Sequence, residues 1–593
     1  MTTNEKIEAI RKELAEKKLD AYIVNTADPH MSEYITDYYK SREWITGFTG
    51  SAGTAVITKD EALLWADGRY YIQAAEQISG SNFKLMKLGL ADTPSITKWL
   101  KDNLKENAVV GVNGEVYSYL GVKQLKKEFK RKKIKVSTEH DLISPIWKDR
   151  PPLPLGKTFI LDIKYAGKSS KEKLSAVREK MAEENADYYL VASVDDVAWL
   201  YNVRGRDVAN NPVVISYALV EKDKAYFYVD EKKVTDEVRE SFKQNNIEIR
   251  GYEDIFKDIG NLKKGKVLAF SGSKANDKLI SAVPEGVEKL DIPDITEKLK
   301  TIKNETEIKN QYTAYVKDGV ALTKFFMWLE KELPSGKVTE KTAADKIHEY
   351  RTQDPDFIEE SFDSISAFGA NAAMMHYNHE NGTPATLEPR SFYLLDSGGQ
   401  YFFGTTDITR TVSLGELTEE EKKDYTLTLQ SVIRLTEMKF LEGTTGPMLD
   451  TISRAPMWKH GMDYKCGTGH GVGYYLNVHE GPQRIANSPA NMTAFEVGMV
   501  TSNEPGVYKE GKHGIRIENI MVCLFDRKTP DGNFFGFDTF TRVYIDTKPV
   551  IKEMLSDDEI KWLNDYNKMV YNDLCGYLND EEKSFLREKT KSI

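Results

Sequence analysis

Apolar positions first fall on a helical stripe. Ile7, Ile10 and Leu14 recur at spacings of three and four within the otherwise charged stretch TNEKIEAIRKELAEKK. That spacing predicts an amphipathic helix, and the apolar run Ala21–Val24 predicts a strand after it. The same pattern returns 167 residues later. Leu174, Val177 and Met181 repeat the stripe, Arg178 stands where Arg11 stood, and DYYLVASVD (187–195) repeats DAYIVNTAD (20–28). An internal duplication of one α/β unit accounts for the match without a gap. Pro151, Pro152 and Pro154 close the first unit, because proline breaks both helices and ladders. A second boundary falls at 299–303. Beyond it Ile308, Tyr312, Tyr315, Val320 and Phe325-Phe326 mark a long helix that stops at Pro334-Ser335-Gly336. Strand-like and helical segments then alternate to the end. There Ser556 and Glu559 form a capping box for a terminal helix that buries Ile560, Leu563 and Tyr566. The expected fold class is α/β (α+β), in three parts: 1–150, 151–303 and 304–593.

Candidate chemistry lies in the third part. The apolar run Phe392–Leu395 delivers Asp396, glycines punctuate positions 398, 399 and 404, and Asp407 follows. A short β-hairpin fits this stretch in two registers. A turn at Gly398-Gly399 strands Asp407 far along the partner strand. A turn near Phe402–Gly404 sets the two carboxylates almost opposite each other; we adopt it, although Phe402 and Phe403 are poor turn formers. Downstream, CGTGHGVGYYLNVHEGP (466–482) sets two histidines among glycines, and MVTSNEPGVY (499–508) ends an apolar run in Glu504-Pro505-Gly506. GIRIEN (514–519) alternates like a strand with Arg516 and Glu518 on one face. Asp396, Asp407, His470, Glu504 and Glu518 thus form a set of four carboxylates and one imidazole, each beside glycine or at a strand end. So oxygen-rich a set suits a pair of hard or borderline divalent ions, manganese first, better than a thiolate zinc site.

Composition narrows the setting. A chain of 593 residues exceeds one ordinary core, and length alone predicts about four domains. Hydrophobic residues make up 40% and charged residues 29%, as in soluble globular proteins, and no run of eighteen apolar residues provides a membrane span. The start is charged and has no apolar signal core. Three cysteines build no disulfide framework and fit a reducing, cytoplasmic setting. A net charge of −10 argues against nucleic acid as a partner. The one basic run, Lys126–Lys135, reads as the solvated face of an amphipathic helix.

The motifs DSG, TTDITRT, GHGVG, NEPG and RIEN resemble the ligand motifs of pita-bread metallopeptidases. NAAMMHY (371–377) and NVHEGP (477–482) narrow the resemblance to the long, cytosolic-type Xaa-Pro aminopeptidase (aminopeptidase P) family. It runs essentially end to end, through SEYITDYYKSREWITGFTGSAGTAVIT (32–58), ADGRYYIQA (66–74) and DDVAWLYNVRGRDVANNPVV (195–214). The resemblance implies two creatinase-type amino-terminal domains, a pita-bread catalytic domain, a homodimer, and peptide substrates with an Xaa-Pro amino terminus. It implies that Asp407 and Glu518 bridge two metal ions, that Asp396 completes one, and that His470 and Glu504 complete the other. Glu504 is then the proton shuttle, and His376 a hydrogen-bond donor to the tetrahedral intermediate. His479 touches substrate near the scissile bond. Arg516 orients ligand carboxylates and is a substrate contact, and Arg69 reaches substrate from the first domain. His379, His460 and His513 match no motif and are read as loop or surface residues. Segments 378–385 and 400–403 depart from the family wording. Two other activities fit the scaffold. A prolidase acting on dipeptides usually carries a single amino-terminal domain, unlike this duplicated chain. A catalytically silent peptide-binding module loses ligands, and here all five stand. Creatinase shares the scaffold and lacks the metal set.

Overall fold

The computed structural model describes residues 1–381, 383–488 and 492–593, and the chain divides into two compact units. One comprises 1–162 and 168–296; the other comprises 163–167 and 297–593.

The first unit shows the duplication element by element. Helix α1 (Thr3–Glu16) is opened by a Thr2–Glu5 capping box and buries Ile7, Ile10 and Leu14. It precedes a sheet of β1 (Ala21–Asn25), β2 (Thr54–Thr58), β3 (Ala62–Ala66), β4 (Phe83–Lys87), β5 (Val109–Val112) and β6 (Lys135–Ser137), in the order β4-β3-β2-β1-β5-β6. Helix α2 (Ser170–Glu183) is opened by a Ser169–Glu172 box and buries Leu174, Val177 and Met181. Its sheet contains β7 (Tyr188–Val191), β8 (Ser216–Glu221), β9 (Ala225–Val229), β10 (Ile247–Gly251), β11 (Val267–Phe270) and β12 (Glu288–Asp291). The order β10-β9-β8-β7-β11-β12 is the same path. Parallel and antiparallel pairs match position for position. Even the paired arginines do one job: Arg11 Nε donates to the Thr58 carbonyl (3.1 Å) and Arg178 Nε to the Glu221 carbonyl (2.9 Å), the last residues of β2 and β8. The basic run is helical only up to Phe129. A 3-10 turn and then β6 take the rest, because Val122, Leu125 and Phe129 are the last residues with a buried stripe to serve.

The second unit starts from helix α3 (Glu305–Glu332), capped by Asn304 and Glu307, whose Tyr315, Leu322, Phe325, Phe326 and Leu329 enter the main core. Helix α4 (Glu340–Arg351) follows. A three-stranded sheet sets β14 (Phe392–Ser397) between β13 (Ile365–Phe368) and β17 (Ile408–Ser413). Between β14 and β17 the chain makes a hairpin tip from β15 (Gly399–Tyr401) and β16 (Gly404–Thr405), paired Gln400 to Thr405 and Tyr401 to Gly404. The turn is therefore Phe402-Phe403, the adopted register. Helix α5 (Glu419–Glu437) leads to a six-stranded sheet. It contains a two-residue edge strand (Phe440–Leu441), β18 (Gly469–Gly471), β19 (Glu480–Ile485), β20 (Val500–Asn503), β23 (Asn519–Thr529) and β24 (Gly532–Thr539), and a separate hairpin forms from β21 (Gly506–Lys509) and β22 (His513–Arg516). Helix α6 (Asp557–Leu574) has the Ser556–Glu559 box and buries Leu563 and Tyr566, with Ile560 partly buried against the core; it is not the last helix, because a shorter one (Asp580–Lys589) follows it. Among the described residues no helix is long and apolar enough to cross a membrane.

Candidate metal centre

The β14–β17 ladder pairs Asp396 with Thr409. Asp407 stands two residues before Thr409, so its side chain and that of Asp396 are diagonal neighbours on one face of the sheet. Helix α3 fixes this hairpin from below. Asp318, fully buried, takes Arg351 Nε at 2.8 Å and Nη2 at 3.1 Å. The pair reaches the residues flanking both aspartates: Arg351 Nη2 donates to Ser397 Oγ (3.0 Å) and Thr406 Oγ1 donates to Asp318 Oδ2 (2.5 Å). The Asp407 backbone N–H donates to Tyr315 OH at 3.2 Å.

Glu518 approaches from a broken strand. GIRIEN is not one strand: β22 ends at Arg516 and β23 begins at Asn519, because β22 pairs with β21 while β23 pairs with β20. Glu518 sits in the crossing and is tied to β17, its N–H donating to the Thr409 carbonyl (3.1 Å) and its Oε2 accepting from Thr409 Oγ1 (3.0 Å). Buried Arg410 donates to the Glu518 carbonyl and to Asn519 Oδ1.

His470 lies on β18 and Glu504 just past β20. His470 Nδ1 lies 2.8 Å from the Gly471 carbonyl, which fixes the proton there and leaves Nε2 free to ligate. Nε2 is 3.4 Å from Asp407 Oδ2 and 3.3 Å from Glu504 Oε1. One ligand atom each from Asp407, His470 and Glu518 falls within a mutual 4.8 Å. The five expected residues thus gather on one patch.

Charge in the patch is frustrated without a cation. Burial raises the Asp396 carboxyl to about 6; Arg516 opposes this and the Asp407 and Glu504 charges add to it. Burial, then Asp407 and Glu504, lifts Glu518 well above the carboxylate range. Burial disfavours charged His470, yet Asp407 and Glu504 outweigh it and raise the imidazole well above its ordinary value. Glu504 resists burial through His470 and Arg516 and falls to about 2. The residues fit a metal pair on two counts. The donor set is hard and oxygen-rich, and buried Asp396 Oδ1 has no hydrogen-bond donor among the described residues, an open acceptor aimed at the patch.

Arg516 stands behind the ligands. It is buried, and it donates to Asp396 Oδ2 (2.6 Å), Thr409 Oγ1 (3.1 Å) and Tyr508 OH (2.9 Å), which orients it on a ligand carboxylate. His479 meets His470 edge to face, ring centroids 4.2 Å apart. Its loop is braced on both sides: Gln400 Nε2 donates to the Leu476 carbonyl (2.8 Å), and buried Lys300 and Lys303 both pair with Glu480. The atypical 400–403 segment therefore supports the His479 loop, with Phe402 packed edge to face on Tyr475. His376 is partly buried in the turn after a 3-10 helix (Gly369–Ala373), not in a strand. Segment 378–385 includes Gly382, which lies outside the described residues. His513 is no surface residue: it is buried, with Nε2 2.8 Å from Asp424 Oδ2 on α5. In the first unit Arg69 is held by Asp67, Nε to Oδ1 at 2.9 Å and Nη2 to Oδ2 at 2.8 Å.

Sequence reading missed the supports: Asp318, Arg351, Thr409, Arg410 and the lysine pair on Glu480. Asp318 did carry a signal, an acid three residues after Tyr315 and four before Leu322 on the apolar stripe of α3.

Models of the creatinase/prolidase N-terminal domain match residues 6–143 and 149–307, metallopeptidase family M24 matches 312–524, and the C-terminal region of peptidase M24 matches 533–593. A probable Xaa-Pro aminopeptidase P from Sordaria macrospora is 39% identical over 98% of each chain. Xaa-Pro aminopeptidase 1 from Dictyostelium discoideum is 39% identical over 96% of this chain and 92% of its own. The crystal structure of X-prolyl aminopeptidase from Caenorhabditis elegans, described as a cytosolic enzyme with a di-nuclear active site, superposes with a TM-score of 0.95 at 33% identity, covering 100% of both chains.

Proposed function

The chain belongs to the Xaa-Pro aminopeptidase P family of M24 metallopeptidases, and from that premise we infer that it releases the amino-terminal residue from peptides with proline in second position. It is a metal-dependent aminopeptidase that takes two divalent ions. The observation that carries the reading is the convergence of Asp407, His470 and Glu518, with the open Asp396 oxygen beside them. Asp407 and Glu518 would hold both ions, Asp396 one, and His470 with Glu504 the other. When bound, such a pair supplies Lewis acidity and lowers the pKa of water toward neutrality.

The chain's own residues do the rest. Glu504 has 22% of its side chain exposed and is kept ionised by His470 and Arg516; it accepts a proton and passes it to the leaving nitrogen. His376 donates a hydrogen bond to the oxygen that gains charge, His479 contacts substrate beside His470, and Arg516 keeps Asp396 ionised. Arg69 is our candidate contact from the first domain. The bond before proline has no amide proton, so the site must recognise it by shape and by the free amino terminus. We assign the loaded metal as manganese, because four of the five ligands are carboxylates. We place the protein in the cytoplasm, supported by three free cysteines and the cytosolic description of the nematode relative, and expect a homodimer. The three parts 1–150, 151–303 and 304–593 are our functional division.

Elemental analysis of reconstituted protein, with turnover of an Xaa-Pro-Xaa tripeptide before and after chelation, tests this. Two ions per chain and chelator-sensitive turnover are expected; full turnover of metal-free protein refutes it.

A further inference from the structure

Glu340 opens α4, is fully buried, and takes no part in the metal patch. Its carboxylate accepts from four donors, all on one stretch of chain. Oε1 accepts from the Phe368 N–H (2.7 Å) and the Asn371 amide (3.0 Å); Oε2 accepts from Asn371 (3.1 Å), Tyr377 OH (2.7 Å) and the Ala385 N–H (2.8 Å). The Glu340 backbone grips the same stretch: its carbonyl accepts from Ser366 Oγ (2.6 Å) and its N–H donates to the Ala385 carbonyl (3.0 Å). Asn371 also donates to Tyr377 OH (3.2 Å), closing a ring across the loop. His376 lies between those two residues. On the opposite side the loop rests on β22, the strand of Arg516. A Cβ at Gly514 would come within 1.8 Å of the Ala372 carbonyl, so only glycine lets the two approach.

We propose that Glu340 is the positioning residue for His376: its buried carboxylate fixes the loop that aims the imidazole at the reacting carbonyl. The physics is specific. A buried carboxylate is costly unless its lone pairs are filled, and hydrogen bonds to a charged acceptor are about twice as strong as neutral ones. Here every filling donor comes from the loop, so solvating the charge and shaping the loop are one event. The first turn of α4 adds a favourable dipole for the negative charge. A donor that stabilises developing charge must be held to within about 0.5 Å, which a loop with one short 3-10 turn does not achieve unaided.

The inference rests on His376 being the donor, and the test separates the two. Glu340→Gln keeps volume but removes the charge and presents an NH2 to N–H and O–H groups. Tyr377→Phe removes one donor next to His376. We expect Glu340→Gln to keep two metal ions per chain and KM within about twofold, while kcat falls about a hundredfold, the scale of losing such a donor. Tyr377→Phe should follow the same pattern with a smaller loss in kcat. In a His376→Ala background neither change should lower kcat further, because both act through His376. If Glu340→Gln yields no folded protein, the Tyr377→Phe pair decides by the same comparison. A kcat loss that multiplies with that of His376→Ala overturns the proposal, as does wild-type kcat in both variants while His376→Ala collapses. Wild-type turnover in His376→Ala would instead overturn the role of His376.

Discussion

Replacing Arg516 by methionine should weaken metal binding although every ligand residue is kept. The guanidinium donates to Asp396 Oδ2 at 2.6 Å and is the main influence opposing burial of that carboxyl, which already titrates near 6. Methionine fills similar volume but carries no charge, so Asp396 loses a charge-assisted hydrogen bond worth about 1.5–3 kcal/mol. Its carboxyl must then rise toward or past neutrality, and the ion that Asp396 completes has to displace a proton it previously met only in acid. Losing an outer partner of this kind lowers metal affinity by about 10- to 100-fold. Competition against a chelator of known affinity at pH 7.5 and pH 6 measures it. The gap between variant and wild type should widen at pH 6, where more of Asp396 is protonated in the variant. Equal affinities at both pH values would refute the reasoning, because they would mean that Asp396 needs no help to ionise.

His376→Ala should keep both ions and lose turnover by about a hundredfold or more, measured as metal content alongside kcat. Breaking the buried Asp318–Arg351 pair with Arg351→Met should lower stability by about 3–5 kcal/mol in urea unfolding and loosen the hairpin that carries both aspartates. Chelated protein should be less stable at pH 7.5 than at pH 4.5 through Asp396. Its folded carboxyl at about 6 keeps a proton that the unfolded chain releases near 3.8, so stability falls as pH rises through that window, by at most about 3 kcal/mol. Asp396→Asn should remove that part of the slope, read as the difference between the two unfolding curves.

Much of this site was legible because metal chemistry leaves local marks. Asp396, Asp407, His470, Glu504 and Glu518 each stand at a strand end or beside glycine, and five such acids and imidazoles in one part of the chain have few other uses. The duplication was legible because one stripe, one arginine and one strand sequence recur at a fixed offset. The supports were hidden because burial is decided at long range. Glu340 reads locally as an ordinary acid in a helix's first turn, and only the loop from Phe368 to Ala385 makes it a buried acceptor. His513 looks like a loop residue until Asp424, 89 positions away, reaches it. The alternation of GIRIEN is genuine, yet its two halves join different partners, and no local pattern marks the crossing at Glu518.

The central claim is cleavage after a residue that precedes proline, with the far side of the site open to longer peptides. Measuring kcat/KM of the metal-loaded protein for an Xaa-Pro-Xaa tripeptide, the matching Xaa-Pro dipeptide and the Xaa-Ala-Xaa analogue tests it most directly. The tripeptide should be turned over fastest, the dipeptide well behind, and the alanine analogue hardly at all. A clear preference for the dipeptide would make the protein a prolidase, and equal turnover of proline and alanine peptides would make it a general aminopeptidase with no proline specificity.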